Sequence, residues 1–362
     1  MNDANLYRAA TRKWLPPRAV IFGCAGPVLL PEERVLFHQA DPFGFILFGR
    51  NCESPEQISQ LVDHLHATVG RSDVPIFIDQ EGGRVARLGP PHWVTPPTAR
   101  SIGDLWARKP DLGQEAAWLN GRLIAADLRR LGITVNCAPV ADVAAAGSGE
   151  CIGDRAYGET VQVVTACARA VADGLLAGGV LPVVKHLPGH GRTVPDPHES
   201  LPTVDASLDD LLAQDFAAFH TLRELPLGMV AHVVYSAIDA AHPASQSAKV
   251  IDQIIRKEIG FGGLLIADDV VMGALSGDMV TRARACWEAG NDVILHCNGD
   301  FQQMVDLSIA APLMSPESQE RWAFAQDRVN QAQNIGAPSA NIAQMSERLD
   351  TLLGHLAAHG NP

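Results

Sequence analysis

The stretch 263-GLLIADD-269 is an apolar run that ends abruptly on two carboxylates. A buried strand with polar side chains at its C-terminal end reads this way. The same pattern recurs along the chain. Apolar runs stand at 19-AVIFGCA-25, 44-GFILF-48, 75-PIFID-79, 133-ITVNCAPV-140, 180-VLPVVKH-186, 227-LGMVAHVV-234 and 291-NDVILHC-297. Between them lie amphipathic segments such as 55–70, 114–132, 160–179 and 247–260, the last ended by Gly260. Continuous apolar strands alternating with helices imply a parallel sheet covered by helices. Eight such units favour a closed (β/α)8 TIM-type barrel over an open sheet. Asp79, Asn136, Lys185, His186, His232, Asp268, Asp269 and Asn298 fall at or just beyond the proposed strand ends, where a barrel gathers its active site. Residues 1–362 read as one barrel domain, with additional C-terminal helices over 317–358 packed on it.

With 47% hydrophobic residues the chain can bury a large core. A net charge of −13, and no basic run interleaved with aromatics, argue against nucleic acid as a partner. The seven cysteines are scattered, with no CxxC pair, and fit a reducing compartment. Basic residues precede the run 19–30 much as in a secretory signal, but Gly23, Gly26 and Pro27 interrupt it and no small-residue cleavage site follows. The expectation is a cytoplasmic protein without a membrane span.

The richest local chemistry is 185-KHLPGHGRTVPDPHESLP-202. A metal site would need its imidazoles to converge, and Pro188 and Gly189 remove the helix that would align them. A phosphate loop would need exposed backbone N–H groups, which the prolines deplete. As an acid/base apparatus, Lys185 and His186 would be fixed donors, with Asp196 orienting His198 and raising its pKa. A solvent-exposed histidine in a proline-rich turn remains open. At 79-DQEGGRVARL-88, Asp79 would enter the barrel mouth with Arg84 and Arg87 nearby, or Glu81 and Arg84 would simply pair. Arg155 would reach a cleft with Asp154 as partner. Of Asp268 and Asp269, strand alternation admits only one to the barrel centre and makes the other a brace.

The segments IDQEGGRVARL, VNCAPVADV, IGDRAYG, VVKHLPGHGRTVPDPH, MVAHVVY and GFGGLLIADDVVMGAL stand in the order and spacing of family 3 glycoside hydrolases. Over residues 18–300 the chain resembles the single-domain bacterial β-N-acetylglucosaminidases of that family. The resemblance implies Asp268 as nucleophile and His198 as acid/base paired with Asp196. It implies Asp79, Lys185, His186, Arg155 and, less directly, Arg87 as sugar-binding residues. It also implies muropeptides carrying N-acetylglucosamine on anhydro-N-acetylmuramic acid as substrate, no cofactor, no metal and a monomer. Asp-Pro-His in place of Asp-Ser-His, Ala267 in place of Ser and Leu187 in place of Phe depart from the pattern. Three other readings stay open: phosphorolysis, which a neutral histidine would tolerate; a metal-dependent amidohydrolase using His186, His190, His198 and Asp268; and a sugar-binding protein whose dyad Pro197 has disabled.

Overall fold

The computed structural model describes residues 15–145, 147, 149–193, 201–334 and 341–357. Eight strands, β1 Arg18–Gly23, β2 Pro42–Leu47, β3 Ile76–Ile78, β4 Val135–Asn136, β5 Leu181–Leu187, β6 Leu227–Val230, β7 Leu264–Asp269 and β8 Val293–His296, close into a barrel. Each pairs in parallel with its neighbours in chain order, and β8 returns to β1. Strand alternation sorts the core into two layers. Ile21, Phe77, Val183, Met229, Leu264, Ile266 and Leu295 fill the barrel interior. Val20, Phe22, Ile76, Ile78, Val184 and Leu265 face the helices.

Strand β4 is shorter than its apolar run. Pairing with β5 continues past Asn136 through Val183 N–H to Ala138 O and Lys185 N–H to Pro139 O, but Pro139 has no amide to donate and the strand breaks there.

The helices begin and end where their caps dictate. Ser54 accepts the Gln57 amide ahead of helix α1, Pro55–Val69, and Gly70 follows at φ 71. Thr160 caps helix α2, Val161–Ala177, and Asp278 caps helix α3, Met279–Ala289.

Among the described residues two helices follow the barrel. In helix α4, Pro316–Asn334, Trp322 meets Phe43 edge-on at 4.9 Å and Ala325 is buried with the barrel-interior residues. Ser318 and Arg321 of the same helix bind Asp292 at 2.6 Å each, so α4 covers the N-terminal end of the barrel. Helix α5, Ile342–Ala357, packs on Pro110–Arg130 through Leu349 and Leu352, with an Arg348–Glu115 ion pair. Among the described residues no helix is long and apolar enough to cross a membrane.

Candidate active site

A cavity of about 210 Å³ opens at the C-terminal ends of the strands, lined by Asp79, Glu81, Arg87, Arg155, Lys185, His186, Asp268 and Asp269 over a floor of Ile46, Met229 and Leu295. This is smaller than the roughly 300–1,000 Å³ of a drug-sized ligand site and suits one small polar unit.

Two irregularities in the sheet aim its key side chains. Along β7, Ala267 pairs with Ile294 and Asp269 with Leu295, so two residues of β7 oppose one of β8. Along β5, Lys185 pairs with Met229 and Leu187 with Val230, which leaves His186 as the extra residue. Such bulges re-aim side chains beside functional sites. Hence Asp268 and Asp269 both line the cavity, as do Lys185 and His186, where simple alternation admits one of each pair. Asp269 is also a brace, its Oδ1 accepting the Val271 and Cys297 amides at 3.1 Å each.

The hairpin 80–86 carries one wall. Gln80 and Asn136 exchange amide hydrogen bonds at 3.0 and 2.9 Å, and Gln80 Oε1 accepts the Arg87 and Leu88 amides, which ties the hairpin to β4. Gly82 turns at φ 119, and a Cβ there would run into the Pro97 carbonyl, so no other residue fits. Asp79 Oδ1 accepts from Lys185 Nζ at 2.9 Å and its Oδ2 from Arg87 Nη2 at 3.1 Å. The Arg87 guanidinium lies 5.1 Å from the centre of the Phe48 ring, within cation–π range.

Glu81 binds Arg155 through two 2.8 Å bonds and Lys185 Nζ at 2.7 Å. This corrects both expected pairings, Glu81 with Arg84 and Arg155 with Asp154. The tight turn at Gly82–Gly83 sends Glu81 deep between Arg155 and Lys185 and leaves Arg84 half-exposed at the cavity rim. Arg84 instead binds Asp154 at 3.0 Å and the carbonyls of Cys151 and Ile152, holding the loop that carries Arg155.

Asp142, fully buried, organises the other wall. It accepts His186 Nδ1–H at 2.7 Å and the His190 amide at 2.6 Å. Arg155 Nη2 stands 3.4 Å from His186 Nε2. His190 Nδ1 is engaged by Thr193 Oγ1 at 2.7 Å. The loop after β5 is held further by the Tyr235 hydroxyl on Gly189 O and by Arg192 on Asp215. Neither Asp142 nor the bridging role of Glu81 was expected from the sequence. The usable signal was a lone aspartate inside the apolar 135-VNCAPVADV-143.

The electrostatics follow from these contacts. Burial alone would raise the Asp268 carboxyl, but His186, the Asp269 amide and Lys185 outweigh it and hold the pKa below the ordinary carboxylate value. Burial likewise opposes ionisation of Asp79 and Glu81, and the cations beside them win in both. Asp269 goes the other way. Burial, reinforced by Asp268, pushes it up to about 6 against the Val271 and Cys297 amides. Burial and the neighbouring His186 lower His190 to about 4, despite Asp142.

Not every strand-end residue enters the cavity. Asn136 is spent on Gln80, His232 is buried behind Asp269, and Asn298 is exposed and accepts the Asp300 amide ahead of the helix Phe301–Ala310. Ala267 and Leu187, two of the three departures from the family pattern, are fully buried away from the cavity. Asp196, Pro197 and His198 lie outside the described residues. Among the described residues, no group of three His, Cys, Asp or Glu side chains is arranged to hold a metal ion.

An ionised carboxylate at a strand end, facing a wall of hydrogen-bond donors above a barrel, is the arrangement of a glycosidase pocket. Residues 32–331 match the family described as Glycosyl hydrolase family 3 N terminal domain, and the chain belongs to that family. It is 35% identical over 288 residues to the beta-hexosaminidase of Bordetella avium (strain 197N), covering 78% of this chain and 81% of that one. It is 39% identical over 282 residues to the beta-hexosaminidase of Methylococcus capsulatus (strain Bath), covering 77% and 82%. The crystal structure of NagZ from Neisseria gonorrhoeae in complex with N-trifluoroacetyl-D-glucosamine superposes with a TM-score of 0.82 at 30% identity, over 94% of this chain and 98% of that one.

Proposed function

We propose that the protein is a retaining exo-β-N-acetylglucosaminidase that removes a terminal non-reducing N-acetylglucosamine from muropeptide fragments during peptidoglycan recycling. The observation that carries this reading is Asp268, held ionised at the bulged end of β7 opposite Lys185, Arg155 and His186. The beta-hexosaminidase relatives support the reaction class. The acyl-glucosamine in the Neisseria complex supports the sugar.

In the first step the Asp268 carboxylate attacks the anomeric carbon while the bond to the leaving oxygen breaks and His198 gives that oxygen its proton. In the second, His198 takes a proton from water, the oxygen of that water bonds to the anomeric carbon, and Asp268 departs. Asp196 orients His198. Asp79, Arg87, Lys185, Arg155 and His186 hold the sugar in the geometry of attack. A histidine in the second role adds less negative charge beside Asp268 than a second carboxylate would. No cofactor is required. The seven cysteines, scattered and without a CxxC pair, are consistent with our assignment of the reaction to the cytoplasm, and we take the working form as a monomer.

The direct test uses a 5-fluoro glycosyl trap with the N-acetylglucosamine configuration. Mass spectrometry should find the adduct on Asp268. An adduct on Asp269 would reverse the assignment of the two carboxylates, and release of the sugar as its 1-phosphate when phosphate is supplied would point to phosphorolysis.

A further inference from the structure

Behind Asp268 stands a histidine that the reaction above does not use. His232 follows β6 and is 1% exposed. Its Nε2 lies 3.0 Å from the main-chain oxygen of Asp269 and its Nδ1 lies 2.7 Å from Ser245 Oγ. A carbonyl oxygen can only accept, so Nε2 carries the proton. In the neutral ring Nδ1 is then a lone pair, and the Ser245 hydroxyl donates to it. Ser245 is itself pinned, its amide donating to Ala231 O at 3.1 Å and its carbonyl accepting Asn291 Nδ2 at 2.7 Å.

The contact falls where the sheet runs out. Pairing between β7 and β6 extends from Leu264 opposite Leu227 to Ala267 opposite Val230, and stops there. Asp268 and Asp269, the bulged end, therefore have no partner on β6. The imidazole supplies the missing donor from the side of β6, and the Asp269 amide in turn donates to Asp268 Oδ1 at 2.8 Å. The backbone just beyond is fixed from another element, where Arg282 Nη1 donates to the carbonyls of Val270, Val271 and Met272 at 3.2–3.3 Å. The charged groups that act on the ring are Asp268 and Arg282. Burial, the larger influence, favours its neutral form.

We infer that His232, held by Ser245 in the Nε2–H tautomer, is a positioning residue that locks the bulge at Asp268 so that its carboxylate meets the sugar carbon in line. The inference rests on Asp268 being the nucleophile. A misplacement of the order of 1 Å can cost about 10²-fold in rate without weakening binding.

The experiment compares His232→Leu and His232→Gln with the wild type. The rate of glycosyl-enzyme formation from the fluoro trap and the inhibition constant of N-acetylglucosamine are measured for each. The Leu variant should form the glycosyl-enzyme roughly 10- to 100-fold more slowly with little change in sugar affinity. The Gln variant, which keeps an N–H donor at similar reach, should recover most of the rate. An unchanged rate in the Leu variant overturns the inference. So does a parallel loss of rate and sugar affinity in both variants, which would make His232 a packing residue. Should the Leu variant not fold, nitrogen-15 spectra of the wild type at neutral pH decide. The Nε2–H tautomer sustains the assignment, and the Nδ1–H tautomer or the cation overturns it. An adduct on Asp268 in the wild type with an unaffected Leu variant removes this inference alone. An adduct elsewhere removes the nucleophile assignment and this inference with it.

Discussion

Glu81 grips Arg155 with both carboxylate oxygens at 2.8 Å and is reached by Lys185 Nζ at 2.7 Å. One buried anion thus holds two of the cations that face the cavity. Without it, Arg155 and Lys185 would repel one another beside the cavity.

Glu81→Gln should therefore be costly twice over. Removing one member of a buried ion network leaves an uncompensated charge, which typically destabilises by about 3–5 kcal/mol. A denaturant titration should show a loss of that order, and substrate affinity should fall because Arg155 loses its bidentate anchor. Stability and KM both equal to the wild type would mean that Asp79 alone holds the cations.

Asp269 and His190 give the stability opposite pH dependences. The Asp269 pKa is raised from 3.8 to about 6, so the folded state binds more protons than the unfolded one between those values. Its contribution is fully present below about pH 4 and is lost as the pH rises through 6. His190 is lowered from 6.5 to about 4, so its contribution is present above 6.5 and is lost as the pH falls through 4. Asp269→Asn keeps the Oδ1 that accepts both amides and removes the titration. The stability gap between this variant and the wild type should grow in the variant's favour from pH 4 to pH 6. A gap constant across that range would place the Asp269 pKa at its ordinary value.

Chelation should leave activity intact, because a side chain fills every role assigned above. Exhaustive dialysis against a chelator, followed by assay of an aryl β-N-acetylglucosaminide, checks it. Activity that vanished and returned with a divalent ion would favour the amidohydrolase chemistry.

The role of His198 is read from the leaving group. General acid assistance is typically worth about 10² to 10⁴ in rate and matters most for a poor leaving group. His198→Ala should nearly abolish disaccharide cleavage while sparing glycosylation by a dinitrophenyl glycoside, and azide should then restore turnover. Equal slowing with both substrates, and no rescue by azide, would make His198 a binding residue.

The barrel was legible because its signal is redundant. All eight apolar runs became strands, and Asp79, Lys185, His186, Asp268 and Asp269 all reached the cavity. Arg155, expected at a cleft, lines the cavity. What failed were inferences from local spacing alone. Alternation assigned Asp268 and Asp269 to opposite faces, but a bulge depends on the partner strand's register, which lies outside the segment itself. Arg155 was paired with adjacent Asp154 because neighbours in sequence are visible, whereas Glu81 is 74 positions away. Asp142 is not legible locally, because a single aspartate in an apolar run has no chemistry until His186 and His190 are folded onto it.

Helix α4 covers one end of the barrel and the interior beneath the cavity is filled by Ile21, Phe77, Val183 and Ile266, so the cavity is a cul-de-sac. In the proposed reaction the sugar lies at the blind end and the aglycone nearer the mouth, which fixes the sequence of departures. The aglycone leaves first, and until it does the glycosylated carboxylate is shut off from incoming solvent. Free N-acetylglucosamine leaves last and so competes directly with substrate for the empty enzyme, while the aglycone, able to re-enter and accept the bound sugar, runs the first step backwards.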